Sequence, residues 1–569
     1  MKYVAYLVLR RLRAPLITLI VIWSIAVLGY VLIPGRDDHG NVYHMNFLHA
    51  FYFVSYMGST IGFGEIPYAF TPAQRFWTLF CIYGTVIGWF YSIGAVVTIL
   101  RDPTFLNLMQ RTRFRRSVAG IREPFYLVCG YGHTGSALVT DLSAHGIQTV
   151  VLDCDADRIE ALELDNHPFD IPRLCADASD PDVLQDAGVQ HPECVGVLCL
   201  TNDDHVNLYV AIASKLLAPR RTVISRVSSA EYAANLASFG TDHIIDPFET
   251  FAQYLSKSIV TPYHQLVYDW LLSPRHRSIE SARQLRYGRW IICGYGRFGQ
   301  ALQRHFSANG METVIVEPDP GARQIAPGQR VVKGWGTEAV TLQEADIVNA
   351  VGIVAGTPDD ANNLSIVMTA RQLKPDLVLV ARQNRKANHS IFRAANVQGI
   401  MDPSVIIAQR IMFLIKTPLL MEFLDAIAGQ TEDWCKGLLQ RLEKLVHNDA
   451  LESWSFQVDE KQTPALAEAL AHGDAVPLSA LSAHPHEREV QLPALALMIE
   501  RDKEKLLLPT PETVLQSGDR ILYCGLRRAL AQMLWTVDNQ NVLRYVVSGQ
   551  EGASGYLWKK LLGLQRRPG

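Results

Sequence analysis

At 569 residues the chain is longer than one hydrophobic core ordinarily holds, so several domains are expected. Its 49% hydrophobic and 19% charged residues are ordinary, and a formal net charge of -3 lacks the basic excess of a nucleic-acid binder, which excludes that partner class. Nine cysteines with no C-x-x-C pair read as reduced core residues and place the bulk of the chain in the cytosol.

Lys2, Arg10, Arg11 and Arg13 precede the uncharged run "LITLIVIWSIAVLGYVLI" (16–33), which is long enough to cross a bilayer and lacks the cleavage site of a secretory leader. A second uncharged run, "FWTLFCIYGTVIGWFYSIGAVVTIL" (76–100), lies between Arg75 and Arg101. Basic residues before the first span and after the second outnumber those between them, which predicts a multi-pass protein of the inner membrane with both termini cytoplasmic.

Between the spans, "NFLHAFYFVSYMGS" (46–59) is apolar but too short to cross as a helix, and it runs into Thr60, Ile61, Gly62, Phe63 and Gly64. Irregular backbone at membrane depth survives only where protein surrounds it or a polar path runs along it. The stretch "FLHAFYFVSYMGSTIGFGEIP" resembles the pore loop of two-span potassium channels, with Ile61 and Phe63 in place of the Val and Tyr of a TVGYG filter. The resemblance implies a pore helix (46–59) and a filter (60–64) in which carbonyls of Thr60, Ile61, Gly62 and Phe63 hold potassium. It also implies a homotetramer in the lipid bilayer, because one chain supplies one loop. A glycine loop in a plain membrane anchor is the alternative. Gly84, 20 positions after Gly64, matches the place of a hinge glycine in the inner helix of such channels; with Gly88 and Gly94 it reads equally as a helix-packing glycine.

A basic linker (101–124) follows, and then an internal duplication: "FYLVCGYGHTG" (125–135) recurs as "RWIICGYGRFG" (289–299). Gly130 to Asp153 and Gly294 to Glu317 both span 23 positions, and Thr201 to Arg226 and Thr357 to Arg382 both span 25. Each copy reads strand, G-x-G-x-x-G, helix, and then a strand ending in an acid. In that context the glycines admit phosphates to a helix N-terminus and the acid accepts ribose hydroxyls, so a doubly wound parallel sheet is predicted twice. The acid favours NAD(H) or an adenine nucleotide (ADP or ATP) over NADP.

Both copies resemble the regulator-of-potassium-conductance (RCK) domain, also called TrkA-N, over nearly all of 125–403. In the first copy the resemblance implies a nucleotide site of Gly130, Tyr131, Gly132, His133, Thr134, Gly135, Asp153, Cys154, Asp177, Ala178, Thr201, Asn202, Asp203 and Arg226. In the second it implies Gly294, Tyr295, Gly296, Arg297, Phe298, Gly299, Glu317, Pro318, Thr357 and Arg382. There "KGWGT" (333–337) puts Trp335 where the first copy has Asp177, so a different adenine-side pocket is expected. An empty, purely scaffolding lobe is the alternative for either copy. The acids of "DCDAD" (153–157) suggest calcium but lack a complete ligand loop and read as surface-exposed strand-end acids, so no divalent site is assigned and cation binding at the regulatory domains stays an open alternative.

Apolar stretches 248–272 and 405–427 resemble crossover helices that pair one lobe with another at the dimer faces of a ring; a helix buried within the chain is the alternative. "LLPTPETVLQSGDRILYCG" (507–525) is similar to the end of a TrkA-C lobe. The predicted architecture is therefore multidomain. An all-α pore module (1–100, spans 16–33 and 76–100) and a gating linker (101–124) lead to two α/β Rossmann-like RCK domains (125–285 and 286–430). A small α+β TrkA-C-like lobe (431–530) and a tail (531–569) complete it. The implied function is a nucleotide-gated potassium channel and not an enzyme. The rivals are a membrane-anchored NAD-dependent oxidoreductase and a nucleotide-binding regulatory subunit of a separate transporter.

Overall fold

The computed structural model describes residues 2–272, 285–323, 325–445 and 451–550. Residues 273–284, near the expected end of the first RCK domain, and 551–569 of the expected tail therefore lie outside the described residues. The chain forms two compact units, the first comprising 1–123 with 172–176 and 182–193.

In the first unit the membrane candidates are Leu12–Leu32, the latter part of helix Lys2–Leu32, and the whole of helix Pro72–Leu100. The second starts four residues before the uncharged run because Thr71 and Gln74 form a capping box and Pro72 occupies the first turn, where a missing N–H costs nothing. Between them Asn46 caps helix Phe47–Gly58 by accepting from the His49 N–H at 2.8 Å. The buried Tyr30 joins the three: its ring meets Phe53 edge-on at 4.9 Å and its hydroxyl donates to Thr78 Oγ1 at 2.8 Å. Only 22% of either span is buried within the unit, so their apolar outer faces require lipid or other copies of the chain. The linker forms helix Pro103–Ala119, whose Arg111 Nε donates to Asp186 Oδ2 at 2.5 Å inside this unit, with Arg115 at 4.0 Å.

The second unit holds two parallel sheets. One runs Gln148–Asp153, Phe125–Cys129, Cys194–Cys199, Thr222–Arg226, His243–Ile245. The other runs Arg330–Lys333, Thr313–Glu317, Trp290–Cys293, Gly352–Ala355, Val378–Arg382, Gly399–Met401. Near-continuous Val and Ile in the central strands follow from burial on both faces.

Both crossover stretches are buried within the chain, and they are exchanged. Helix Pro247–Val260, which follows the first sheet, packs Phe251 and Leu255 against Phe298, Leu302 and Phe306 of the second lobe. Helix Pro403–Lys416, which follows the second sheet, packs Ile407, Ile411 and Met412 against Leu138, Val139 and Leu142 of the first. Each expected single helix is two, broken before Pro262 and Pro418, because proline cannot donate to the preceding turn. The C-terminal lobe is an antiparallel sheet ordered Glu452–Gln457, Arg520–Gly525, Ala494–Arg501, Glu504–Leu507. It does not stop at 530: helices Arg527–Asp538 and Gln540–Ser548 bury Met533, Val537, Leu543 and Val546 in its core. The cysteine expectation also needs correction, since seven are buried but Cys154 and Cys175 are exposed.

Candidate functional site

The two glycine turns have one geometry. Gly130 and Gly294 adopt φ of +108° and +94°, and a Cβ at Gly135 or Gly299 would lie 2.0 or 2.1 Å from the carbonyl oxygen of Gly130 or Gly294. Only glycine permits that closure. Gly132 and Gly296 are the N-caps of helices His133–Ala144 and Arg297–Ala308, with no side chain capping the first N–H groups. Those donors, together with the positive end of the helix dipole, suit an anion.

Asp153, expected among the surface-exposed acids of 153–157, is not a surface group. Asp153 and Glu317 are buried, and each pins its glycine turn: Asp153 Oδ2 accepts from the Tyr131 N–H at 2.5 Å, Glu317 Oε2 from the Tyr295 N–H at 2.6 Å. Asp153 also accepts from the Asp155 N–H at 2.9 Å, and Arg158 stands 3.5 Å away; Arg323 is 3.7 Å from Glu317. An ionised carboxylate has about four acceptor positions, so each acid can hold its turn and still take ribose hydroxyls.

At the next strand end the copies again coincide. Asn207 Oδ1 accepts from Thr201 N and Oγ1 at 3.0 and 2.8 Å, while its amide donates to the Thr201 and Arg226 carbonyls at 2.9 and 3.2 Å. Asn363 does the same for Thr357 and Arg382 at 2.7 to 2.9 Å. These buried asparagines were missed as site residues, although each stands six positions after its threonine in the repeated segment.

Several expected contacts reduce to backbone only. Phe298 is fully buried in the apolar core, and Tyr131, Thr134, Tyr295 and Thr357 are buried too. Asp203 caps helix Asp204–Leu217 by accepting from the His205 N–H at 2.8 Å. His133, Cys154, Asn202 and Asp177 are exposed, Pro318 is half-buried and Ala178 buried. Asp177 Oδ1 accepts from Ser179 N and Oγ, both at 2.8 Å.

Three arginines gather where the lobes meet. Arg226 donates to Asn202 Oδ1 at 2.5 Å, Arg297 donates to the Ser228 carbonyl at 3.1 Å, and Arg297 and Arg382 lie 5.2 and 4.9 Å from the Phe248 ring centre. Burial, reinforced by the charge of Arg297, pushes the Arg382 guanidinium down to about 10 and lowers Arg226. A cationic cluster with two half-buried members, Arg226 and Arg382, gains from an anion. Among the described residues no three His, Cys, Asp or Glu gather as a metal site.

In the first unit Thr60, Gly62 and Gly64 adopt positive φ of 63°, 66° and 108°, every second residue of the loop. The Ile61 N–H donates to the Tyr56 carbonyl at 2.9 Å, the Tyr56 hydroxyl donates to the Gly64 carbonyl, and Glu65 is held by Arg75 at 2.8 Å. A Cβ at Gly62 or Gly64 would meet nothing within 4 Å, so the backbone angle, not crowding, calls for glycine. Gly84 is likewise roomy, its nearest neighbour being Ile22 at 3.9 Å, whereas a Cβ at Gly88 would lie 2.7 Å from Ile22. Gly88 is thus the packing glycine.

The TrkA-N domain model matches 126–247 and 290–403. Both Rossmann lobes match this model. Potassium channel protein 1 of Methanocaldococcus jannaschii is 26% identical over 148 residues, 25% of this chain and 44% of that one. Probable potassium channel protein 2 of the same organism is 22% identical over 241 residues, 42% of this chain and 63% of the relative. The chain thus spans less than two thirds of either relative's length. Among solved structures, the GsuK channel bound to NAD covers 94% of this chain and 99% of its own at 16% identity and a TM-score of 0.45. The matched segments coincide with the two Rossmann sheets, so the TrkA-N domains contain both glycine turns and both pinned acids.

Proposed function

We propose that the chain is the subunit of a homotetrameric, potassium-selective channel of the inner membrane, with both termini cytoplasmic, gated by nucleotide at its TrkA-N domains. The observation that carries this reading is the alternation of positive φ at Thr60, Gly62 and Gly64 directly after a short apolar helix between two spanning helices. Alternating handedness turns successive carbonyls of 60–63 to one side, and four copies would stack them into rings that replace an ion's water shell. Relatives named as potassium channel proteins support the reading. Their names give no support to the oxidoreductase alternative, so nucleotide acts here as a regulatory ligand.

Asp153 with the Gly130–Gly135 turn would take NAD(H) or an adenine nucleotide, and Glu317 with the Gly294–Gly299 turn a second. Binding can move the pore only through unequal affinity for its open and closed forms. Gly84, which packing leaves unconstrained, is the proposed hinge. Liposomes containing only this polypeptide should pass potassium, with the flux altered by NAD(H) or ADP; a separate regulatory subunit would leave them silent. Gly62→Ala adds a methyl at positive φ, costing about 1–2 kcal/mol, and should stop flux while leaving the cytoplasmic domains folded by circular dichroism. A normal potassium current through that variant would sink the filter assignment.

A further inference from the structure

We infer that the second TrkA-N domain holds a purine base by stacking it on Trp335, where the first domain meets the base with the carboxylate of Asp177. The inference rests on the nucleotide reading of these domains and concerns which bases each accepts.

Strand Arg330–Lys333 pairs with Thr313–Glu317 so that Lys333 stands opposite Glu317, and the Gly334 N–H donates to the Glu317 carbonyl at 3.2 Å. Trp335 therefore leaves the carboxyl edge of the sheet beside the acid that pins the glycine turn, the edge where parallel α/β sheets take ligands. The backbone on both sides of it is closed. A Cβ on Gly334 would lie 2.6 Å from Thr341 Cγ2, and one on Gly336, at φ +75°, would lie 2.7 Å from Cys293 Sγ. The two glycines press the turn against the body of the domain and leave the indole outside, 55% exposed. A large apolar ring held open on a fixed turn is a face prepared in advance for a flat ligand.

The chemistry at the two positions differs in what it can discriminate. Asp177 has one oxygen engaged by Ser179, which leaves the other to accept from the exocyclic amino group of adenine. Guanine set in the same pose presents a carbonyl oxygen there and is repelled. A stacking face has no such preference, because every base has a π-face. The first domain thus selects adenine, and the second takes adenine or guanine nucleotides alike.

The test uses the full-length protein in detergent with Gly132→Asp, which sets a carboxylate at the phosphate end of the first site where a Cβ meets only Arg158 at 3.7 Å. Calorimetric titrations with ADP, GDP and base-free ribose 5-phosphate then report the second site. ADP and GDP are expected to bind within about threefold of each other. Trp335→Ala should weaken both about tenfold or more, Trp335→Phe should restore most of the loss, and ribose 5-phosphate should be unaffected by either. An ADP affinity unchanged in Trp335→Ala overturns the stacking while leaving nucleotide binding intact, as does a variant that alters only the mass of the assembly, which would mean that another copy covers the indole. Failure of the Gly132→Asp protein to bind any of the three overturns the second nucleotide site and the inference with it.

Discussion

Asp360 receives four hydrogen bonds, from the Asn384 and Arg385 backbone N–H groups and the Asn384 and Asn388 amides, at 2.7 to 3.0 Å. Burial opposes its charge, but those bonds outweigh it and hold the carboxyl below its usual range. A carboxyl whose folded value lies below its unfolded one stabilises the fold fully above the ordinary aspartate range, and loses that contribution as the pH falls through the depressed value. Asp360→Asn, which turns amide hydrogens toward the same donors, should cost about 1–3 kcal/mol at neutral pH. The difference from the parent should shrink on acidification, as measured by thermal melts across that range. The acid stands in "GTPDDANNL" (356–364), which repeats "LTNDDHVNL" (200–208), whereas its partners lie 24 to 28 positions on in an irregular loop that no periodicity marks. Asp153 and Glu317 show the same limit from the other side. Their place at a strand end was readable, but their burial under the glycine turn depends on a backbone hydrogen bond that composition does not encode.

Among the elements, the exchanged helices have the clearest energetic signature. Ile411 is fully buried, and its neighbours on helix Pro403–Lys416 pack with the first domain, more than 200 residues earlier in sequence. Ile411→Ala should destabilise by about 2–5 kcal/mol, the range of large-to-small core changes. Faster amide exchange should appear in helix His133–Ala144 of the first domain and not in Arg297–Ala308 of the second; mass-resolved hydrogen exchange on the full chain reads this directly. The strands, the glycine turns and the spans were visible from apolar runs and from the duplication. The partner of each crossover helix was not, because an amphipathic stripe says that a face is buried and not against what. Pro262 and Pro418, 156 positions apart like Thr201 and Thr357, mark the breaks in those helices, which the reading of each stretch as one helix passed over.

For the whole molecule, the question is how nucleotide binding would reach the pore of the proposed channel. The linker helix is tied inside the first unit by Arg111 to Asp186, a residue that belongs by sequence to the first TrkA-N segment. Such a half-exposed pair is worth about 1 kcal/mol at most. That is too little to decide folding and enough to shift a gating equilibrium severalfold. In the proposed channel Arg111→Glu should leave basal potassium flux into liposomes intact and blunt its response to nucleotide. Combining it with Asp186→Arg should recover the response. A single variant with an undiminished response would show that the pair transmits nothing.

The exchange of helices between the domains also bears on how such a chain can change. Were the halves separate identical polypeptides, every alteration near their symmetry axis would occur twice and would have to fit its own mirror. Covalent fusion lifts that restriction. Phe248, with two guanidinium groups 4.9 and 5.2 Å from its ring centre, corresponds to a serine at 404, and an indole at 335 corresponds to Asp177. In the proposed channel one polypeptide thereby keeps two nucleotide sites whose tastes diverge while their scaffolds remain mutually dependent.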